Sequence, residues 1–334
     1  MGTVRRLGSL LTLLAIFGTA SAADLLVSNQ AGDSVWRLSA QNGRQHGEFR
    51  TGDAPHEIAV SPDGKRAVVS NYGGVRSGNT LSVLDLRSGK PTTTIDLGLH
   101  SAPHGLQFLS NDEVVVTTEG SGHLLVVNVD EGRVERVIPI GDGTGHMVVL
   151  SEDGRYAYVT KIAKGTISRV DLKLGTVLQE RVAGKGAEGL ALRPDAAELW
   201  VANRDEGTLT VHDPITLLIK RRMSSRGFPL RIAFSDDGKR AFVINSGASE
   251  LLVIDTSTRL PIARVPLARA GLPILDTALG RGALPINIAV DPRQPRAYIA
   301  VSGVDRIAVV DTEKWQVIDY WVTGREPGGV VLVP

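Results

Sequence analysis

The chain of 334 residues contains no cysteine. That absence removes thiol nucleophiles, zinc–thiolate sites, covalent c-type haem attachment and disulfides. Aromatic residues make up only 4% of it, which leaves few platforms for stacking single-stranded bases. The formal net charge is +1, so no global field draws nucleic acid or an anionic membrane. Nucleic acid is therefore not an expected partner. Beyond residue 17 no apolar run is long enough to span a bilayer. Sustained helical periodicity is missing as well.

What is present is a leader and a repeat. The opening "MGTVRRLGSLLTLLAIFGTASAADLL" has Arg5 and Arg6, an apolar run from Leu7 to Phe17, and "ASA" at 20–22. These are the basic region, apolar region and small-residue cleavage site of a secretory signal peptide. The expectation is a signal peptide over 1–22, a mature chain over 23–334 forming one domain, and a periplasmic or secreted location. Export without disulfides is consistent with a chain of about 300 residues, which buries most of its apolar surface.

The stretch "APHEIAVSPDGKRAVVSN" at 54–71 recurs five times, as at 102–119 ("APHGLQFLSNDEVVVTTE") and 144–161 ("TGHMVVLSEDGRYAYVTK"). His56, His104, His146, Glu188, Leu230 and Ile286 occupy one equivalent slot, at spacings of 48, 42, 42, 42 and 56. Each unit continues with alternating segments such as "NTLSVLDLRSGK" and "DRIAVVDTEKWQ". Four short strands per unit of about 40–45 residues read as a propeller blade. Residues 24–52 supply the last three strands of a unit, and "EPGGVVLVP" at 326–334 supplies a first strand. The fold expected is all-β, a seven-bladed propeller of four-stranded blades, closed by the C-terminal strand joining the N-terminal blade.

Hairpin counting places candidate site residues. Pairing across "PDGK" at 62–65 puts His56 opposite Asn71. The same count puts His104 opposite Glu119, His146 opposite Lys161 and Glu188 opposite Asn203. Cross-strand neighbours have Cβ atoms about 4.5–5.5 Å apart, so His104 and Glu119 are candidates for an acid–base pair. His56, Asn71, Tyr72, Arg76, His146, Lys161 and Glu188 are candidate ligand-binding residues, Tyr72 and Arg76 through the long loop at 71–80. His56, His104 and His146 are also candidate ligands for a divalent metal, although no cofactor is demanded. Apolar neighbours share the face of these histidines, and Leu230 and Ile286 fill the same slot, so packing and ligand roles both stay open. The insertion at 267–285 is a candidate roof for the channel.

Three other features have structural readings. "GDGTGH" at 141–146 joins strand to strand and so offers no helix N-terminus to a phosphate. "KRRMSSR" at 220–226 fits a solvated outer strand. The recurring Asp85, Asp171, Asp213, Asp255 and Asp311 stand where a strand enters a turn and cap backbone N–H groups.

The segments "VVSNYGG", "YVTK", "WVAN" and "FVIN", with "SPDGKR" and "SDDGKR", resemble the signature of YVTN-family β-propeller repeat proteins. The resemblance covers nearly all of the mature chain and implies an exported propeller of undetermined biochemical role. "PHGL" followed by "TTEG" is similar to the His-then-Glu pattern of streptogramin lyases, which bears on His104 and Glu119 alone. "NYGG" at 71–74 is similar to a segment of propeller lactonases. The function expected is a binding or accessory module acting through its top face and central channel on a small molecule or a periplasmic protein. The alternative is a lyase or lactonase-like hydrolase using His104 and Glu119, with or without a metal.

Overall fold

The second strand of each repeat is a nearly continuous apolar run, and the fold shows why. Arg66–Asn71, Tyr156–Lys161 and Arg240–Asn245 are buried from their second residue to their last. Such strands are covered on both faces, so alternation gives way to unbroken burial. The outermost strands alternate instead, as Arg133–Pro139 does. The computed structural model describes residues 23–88, 92–277 and 279–333. The expected signal peptide at 1–22 lies outside them.

The strands form seven four-stranded antiparallel sheets, each ordered from the channel outward. Blade 1 is the composite one. Its innermost strand, Pro327–Val333, pairs with Asp24–Asn29 from the other end of the chain, Val330 facing Val27. Blades 2 to 7 begin at Pro55–Val60, Pro103–Phe108, Gly145–Leu150, Ala187–Leu192, Pro229–Phe234 and Pro285–Val290. Neighbouring innermost strands touch in ring order, and Pro327–Val333 touches those of blades 2 and 7.

The core is not one mass but seven layers, one between each pair of adjacent blades. The layer between blades 1 and 2, for example, joins Leu26, Val35 and Val333 to Ala67, Val69 and Leu84. A ring of seven such layers has no exposed blade face, which is the physical content of closure.

Entry into the channel is equally repetitive. The residue before each innermost strand has positive φ: Ala54, Ala102, Thr144, Gly186, Phe228, Leu284 and Glu326. Six of these seven are not glycine, and each left-handed turn costs such a residue about 1–2 kcal/mol. That cost is borne to swing the chain sharply from the rim into the channel wall.

The turn aspartates behave as expected. Asp171, for instance, accepts from the N–H groups of Lys173 and Leu174, both at 2.9 Å. "KRRMSSR" begins on the exposed outermost strand Ile219–Ser224 of blade 5. The insertion at 267–285 carries a small hairpin, Asp276–Thr277 with Gly280–Arg281, and its Leu279 reaches the central funnel. Among the described residues no helix is long and apolar enough to cross a membrane.

One buried group makes the fold acid-sensitive. His212, in blade 5, is fully buried, with Nδ1 donating to Leu217 O at 2.8 Å and Nε2 accepting from Thr210 Oγ1 at 2.9 Å. Burial lowers its pKa, only partly countered by the Leu217 bond. Below about pH 6.5 the unfolded imidazole takes up a proton that the folded one resists, so stability falls with acid. The stability advantage of wild type over His212→Gln, read from urea midpoints, is therefore expected to shrink between about pH 7 and about pH 5. An advantage that stays constant with pH would show that His212 does not titrate differently on folding.

Candidate functional site

The counted hairpin register holds near the turn in blades 2, 4 and 5, is already one residue off in blade 3, and slips by one residue at the channel end of each. Ile58 faces Val69, but Pro55, not His56, faces Asn71. Leu106 faces Val116, but Pro103 faces Thr118. Gly145 faces Lys161 and Ala187 faces Asn203 by the same slip. One extra residue on the innermost strand makes a β-bulge, which re-aims side chains. The predicted pairs His56–Asn71, His104–Glu119, His146–Lys161 and Glu188–Asn203 are therefore not cross-strand partners. The slot residues leave the ladder and turn into the channel.

The bulges are pinned from the preceding blade. Ser28 Oγ donates to His56 O at 2.7 Å, Thr117 Oγ1 to His146 O at 2.5 Å, and Thr160 Oγ1 to Glu188 O at 2.5 Å. Close approach needs a missing side chain at some bulges. A Cβ on Gly105 would stand 2.6 Å from His146 O, and one on Gly189 2.1 Å from Leu230 O.

The channel mouth is a cavity of about 850 Å³. Inside it the histidines stack. The rings of His56 and His104 lie 4.2 Å apart between centroids, and those of His104 and His146 3.8 Å apart. Tyr72 sets its ring edge-on to both His56 and His104, at 5.6 Å from each. Glu119 lies beyond the end of its strand and bonds to the next blade. Its Oε1 meets His146 Nδ1, and its Oε2 accepts from Tyr72 Oη at 2.8 Å. The acid–base partner of Glu119 is thus His146, not His104. Counting within one hairpin cannot find a partner supplied by the neighbouring blade.

The same cavity is lined by a set of ion pairs. Arg231 of blade 6 reaches across the channel to Glu57 Oε1 of blade 2. Asn287 of blade 7 donates to Glu57 Oε2 at 3.1 Å. Arg204 pairs with Glu188 at 2.5 Å, and His146 Nε2 stands 3.4 Å from Glu188 Oε1.

These charges set the protonation pattern. For Glu57, burial opposes ionisation, but Arg231 and His56 hold the carboxyl well below the usual range. Glu188 is also buried, yet His146, Arg231 and Arg204 bring it down to about 2. Glu119 is lowered because His146 and Tyr72 outweigh burial. His146 moves upward, since Glu188 and Glu119 outweigh its burial. His104 moves far down, through burial first and then the electrostatic influence of its neighbours His146, His56 and Arg231. The same surroundings thus pull two stacked imidazoles in opposite directions, His104 toward its neutral form and His146 toward its protonated form.

Of the residues singled out in the sequence, His56, Tyr72, His104, Glu119, His146 and Glu188 line this cavity. Asn71, Lys161 and Arg76 do not. Asn71 is buried in its own blade, donating to Thr80 and Ser82 at 2.9 and 3.0 Å. Lys161 is fully buried, its Nζ held by Glu180 at 2.6 Å and by Ile140 O. Arg76 stands exposed on its loop. Glu57, Arg231 and Asn287 were missed. They occupy the position after the slot, where Gly105 and Gly189 stand in other blades, and that contrast of charge with glycine was the readable signal.

Seven blades, YVTN-like repeats and a polar funnel define the class: the chain is a YVTN-type seven-bladed β-propeller. No family model matches it. It is 24% identical over 212 residues to the uncharacterized protein YncE of Salmonella typhi, a match covering 60% of this chain and about half (53%) of that protein's length. It is 29% identical over 109 residues to protein NirF of Stutzerimonas stutzeri, covering 32% of this chain and 28% of NirF. In three dimensions it superposes on a chain of Kuenenia stuttgartiensis hydrazine synthase with a TM-score of 0.74 at 19% identity, covering 86% of this chain and 92% of that one. Likeness at that identity concerns the fold alone.

Proposed function

We propose that this propeller is a binding module that holds a small polar ligand in its central funnel. The observation that carries the reading is the cavity of about 850 Å³ walled by buried or half-buried charged side chains. His56 and Glu57 come from blade 2, His104 and Glu119 from blade 3, His146 from blade 4, Glu188 and Arg204 from blade 5, and Arg231 from blade 6. Burying so many ionisable groups around open space is costly for stability alone, and such clusters gather at functional sites. Export by the leader at 1–22 and a single domain over 23–334 belong to the same proposal.

The test is a thermal-shift and calorimetric survey of polar metabolites. A funnel ligand is expected to raise the melting temperature, and Arg204→Ala, at the mouth, is expected to weaken it about tenfold, as for a charged hydrogen bond. A survey in which nothing binds, or binding that ignores both Arg204→Ala and Tyr72→Phe, would sink the reading. A second reading, as a lyase or hydrolase, is favoured by one observation. The Glu119–His146 hydrogen bond supplies an acid–base pair, so a bound compound that is consumed, and is not consumed by Glu119→Gln, would establish catalysis.

A further inference from the structure

We propose that the funnel holds one divalent first-row transition ion, ligated by His104, His146 and Glu119. This rests on the reading of the funnel as a binding site and names a ligand for it. One donor atom from each of the three residues lies within 4.8 Å of the other two. An ion with bonds of about 2.1 Å joins such atoms after small side-chain movements.

An unsatisfied nitrogen points the same way. His104 Nδ1, in the middle ring of the column, is buried without a hydrogen-bond partner. Buried polar atoms in native proteins rarely lack partners, and an ion is one of the standard explanations. His104 is 3% exposed and His146 6% exposed, so water from the bulk does not readily satisfy them.

Charge agrees. Among the described residues, Glu57, Glu119 and Glu188 share the funnel with two guanidiniums, Arg204 and Arg231, and Asp33, Asp53 and Glu326 also line it. A cation between Glu119 and His146 replaces the proton that now joins them. The supporting groups are in place. His146 presents Nδ1 to Glu119 and Nε2 to Glu188 at 3.4 Å, so Glu188 orients the ring while Nδ1 binds the ion. Tyr72 holds the other Glu119 oxygen at 2.8 Å. Carboxylate–histidine–metal chains of this kind are the usual outer support of a metal site.

A rival trio, His56, Glu57 and His104, is equally close. It is disfavoured because Glu57 is already neutralised by the Arg231 guanidinium, with Asn287 on its other oxygen, whereas the partner of Glu119 Oε1 is His146, itself a ligand of the proposed ion. Two imidazoles and one carboxylate suit zinc, iron(II) or cobalt(II), whereas calcium and magnesium prefer oxygen cages. Three protein ligands leave positions open toward the cavity, where a funnel ligand can coordinate.

The experiment uses the full mature chain, stripped with a chelator and titrated with Co²⁺ alone. The expected result is one Co²⁺ per chain with visible absorption bands, displaced by Zn²⁺. His146→Ala and Glu119→Gln are each expected to weaken binding about 100-fold or more, and Tyr72→Phe about tenfold. X-ray absorption of the wild-type complex, which depends on no variant folding, is expected to show two imidazole ligands. No stoichiometric Co²⁺, fewer than two imidazoles, or undiminished binding by both folded ligand variants would overturn the proposal. The metabolite survey repeated on chelated protein separates the two ideas. A compound that binds without metal keeps the funnel reading even where the ion fails.

Discussion

Deleting Pro327–Val333 is expected to abolish cooperative folding of the propeller. The segment is short, but its place is central. It forms the inner strand of blade 1, paired with Asp24–Asn29 along its length. It also touches the inner strands of blades 2 and 7. Val330 and Val333 belong to two different inter-blade layers, one on each side of blade 1. Removing the strand therefore opens the ring at both junctions at once. It also bares the backbone edge of Asp24–Asn29, a template for pairing with another chain. The truncated protein is expected to aggregate or to melt broadly, as seen by circular dichroism and size-exclusion chromatography. A monomer that melts cooperatively within a few degrees of wild type would refute the role assigned to closure.

Arg231→Met is expected to destabilise the fold by about 3–5 kcal/mol, because it strands Glu57 as an uncompensated buried charge. Glu57 is 7% exposed and Arg231 8% exposed, so water cannot repair the loss. The two residues are 174 positions apart and belong to blades 2 and 6, which makes the pair a strut across the channel. The double variant Arg231→Met, Glu57→Gln is expected to recover much of the lost stability, since no buried charge remains. Denaturant midpoints for the two single variants and the double variant measure the coupling. Additive losses would mean that the pair does not act as a unit.

The blade count, the four strands per blade and the closing strand were legible because they follow from the 42-residue period and local alternation. The histidine slot was legible for the same reason: His56, His104 and His146 recur at one position of the repeat. Glu119 was singled out by counting it into the position of the asparagine that ends most second strands, but Thr118 stands there and Glu119 follows it, as Tyr72 follows Asn71. Its partner could not be counted. A hairpin register is a sum over neighbouring residues, and one bulge residue near the channel breaks that sum. The bulge turns His104 out of the ladder, and Glu119 passes to His146 of the next blade.

The sequence by itself determined the architecture, since repetition and hydrophobic period act within a few residues or within one repeat. It also placed the slot residues His56, His104, His146 and Glu188 at the channel end of their blades. Only the tertiary structure decided how they combine. Ring closure sets blade 2 against blade 6, so Glu57 meets Arg231. Burial leaves Lys161 paired with Glu180 inside its own blade instead of in the funnel. The stacking of three imidazoles beside one unexpected glutamate is likewise a product of closure, because seven strands converging on one axis bring together side chains that no local rule connects.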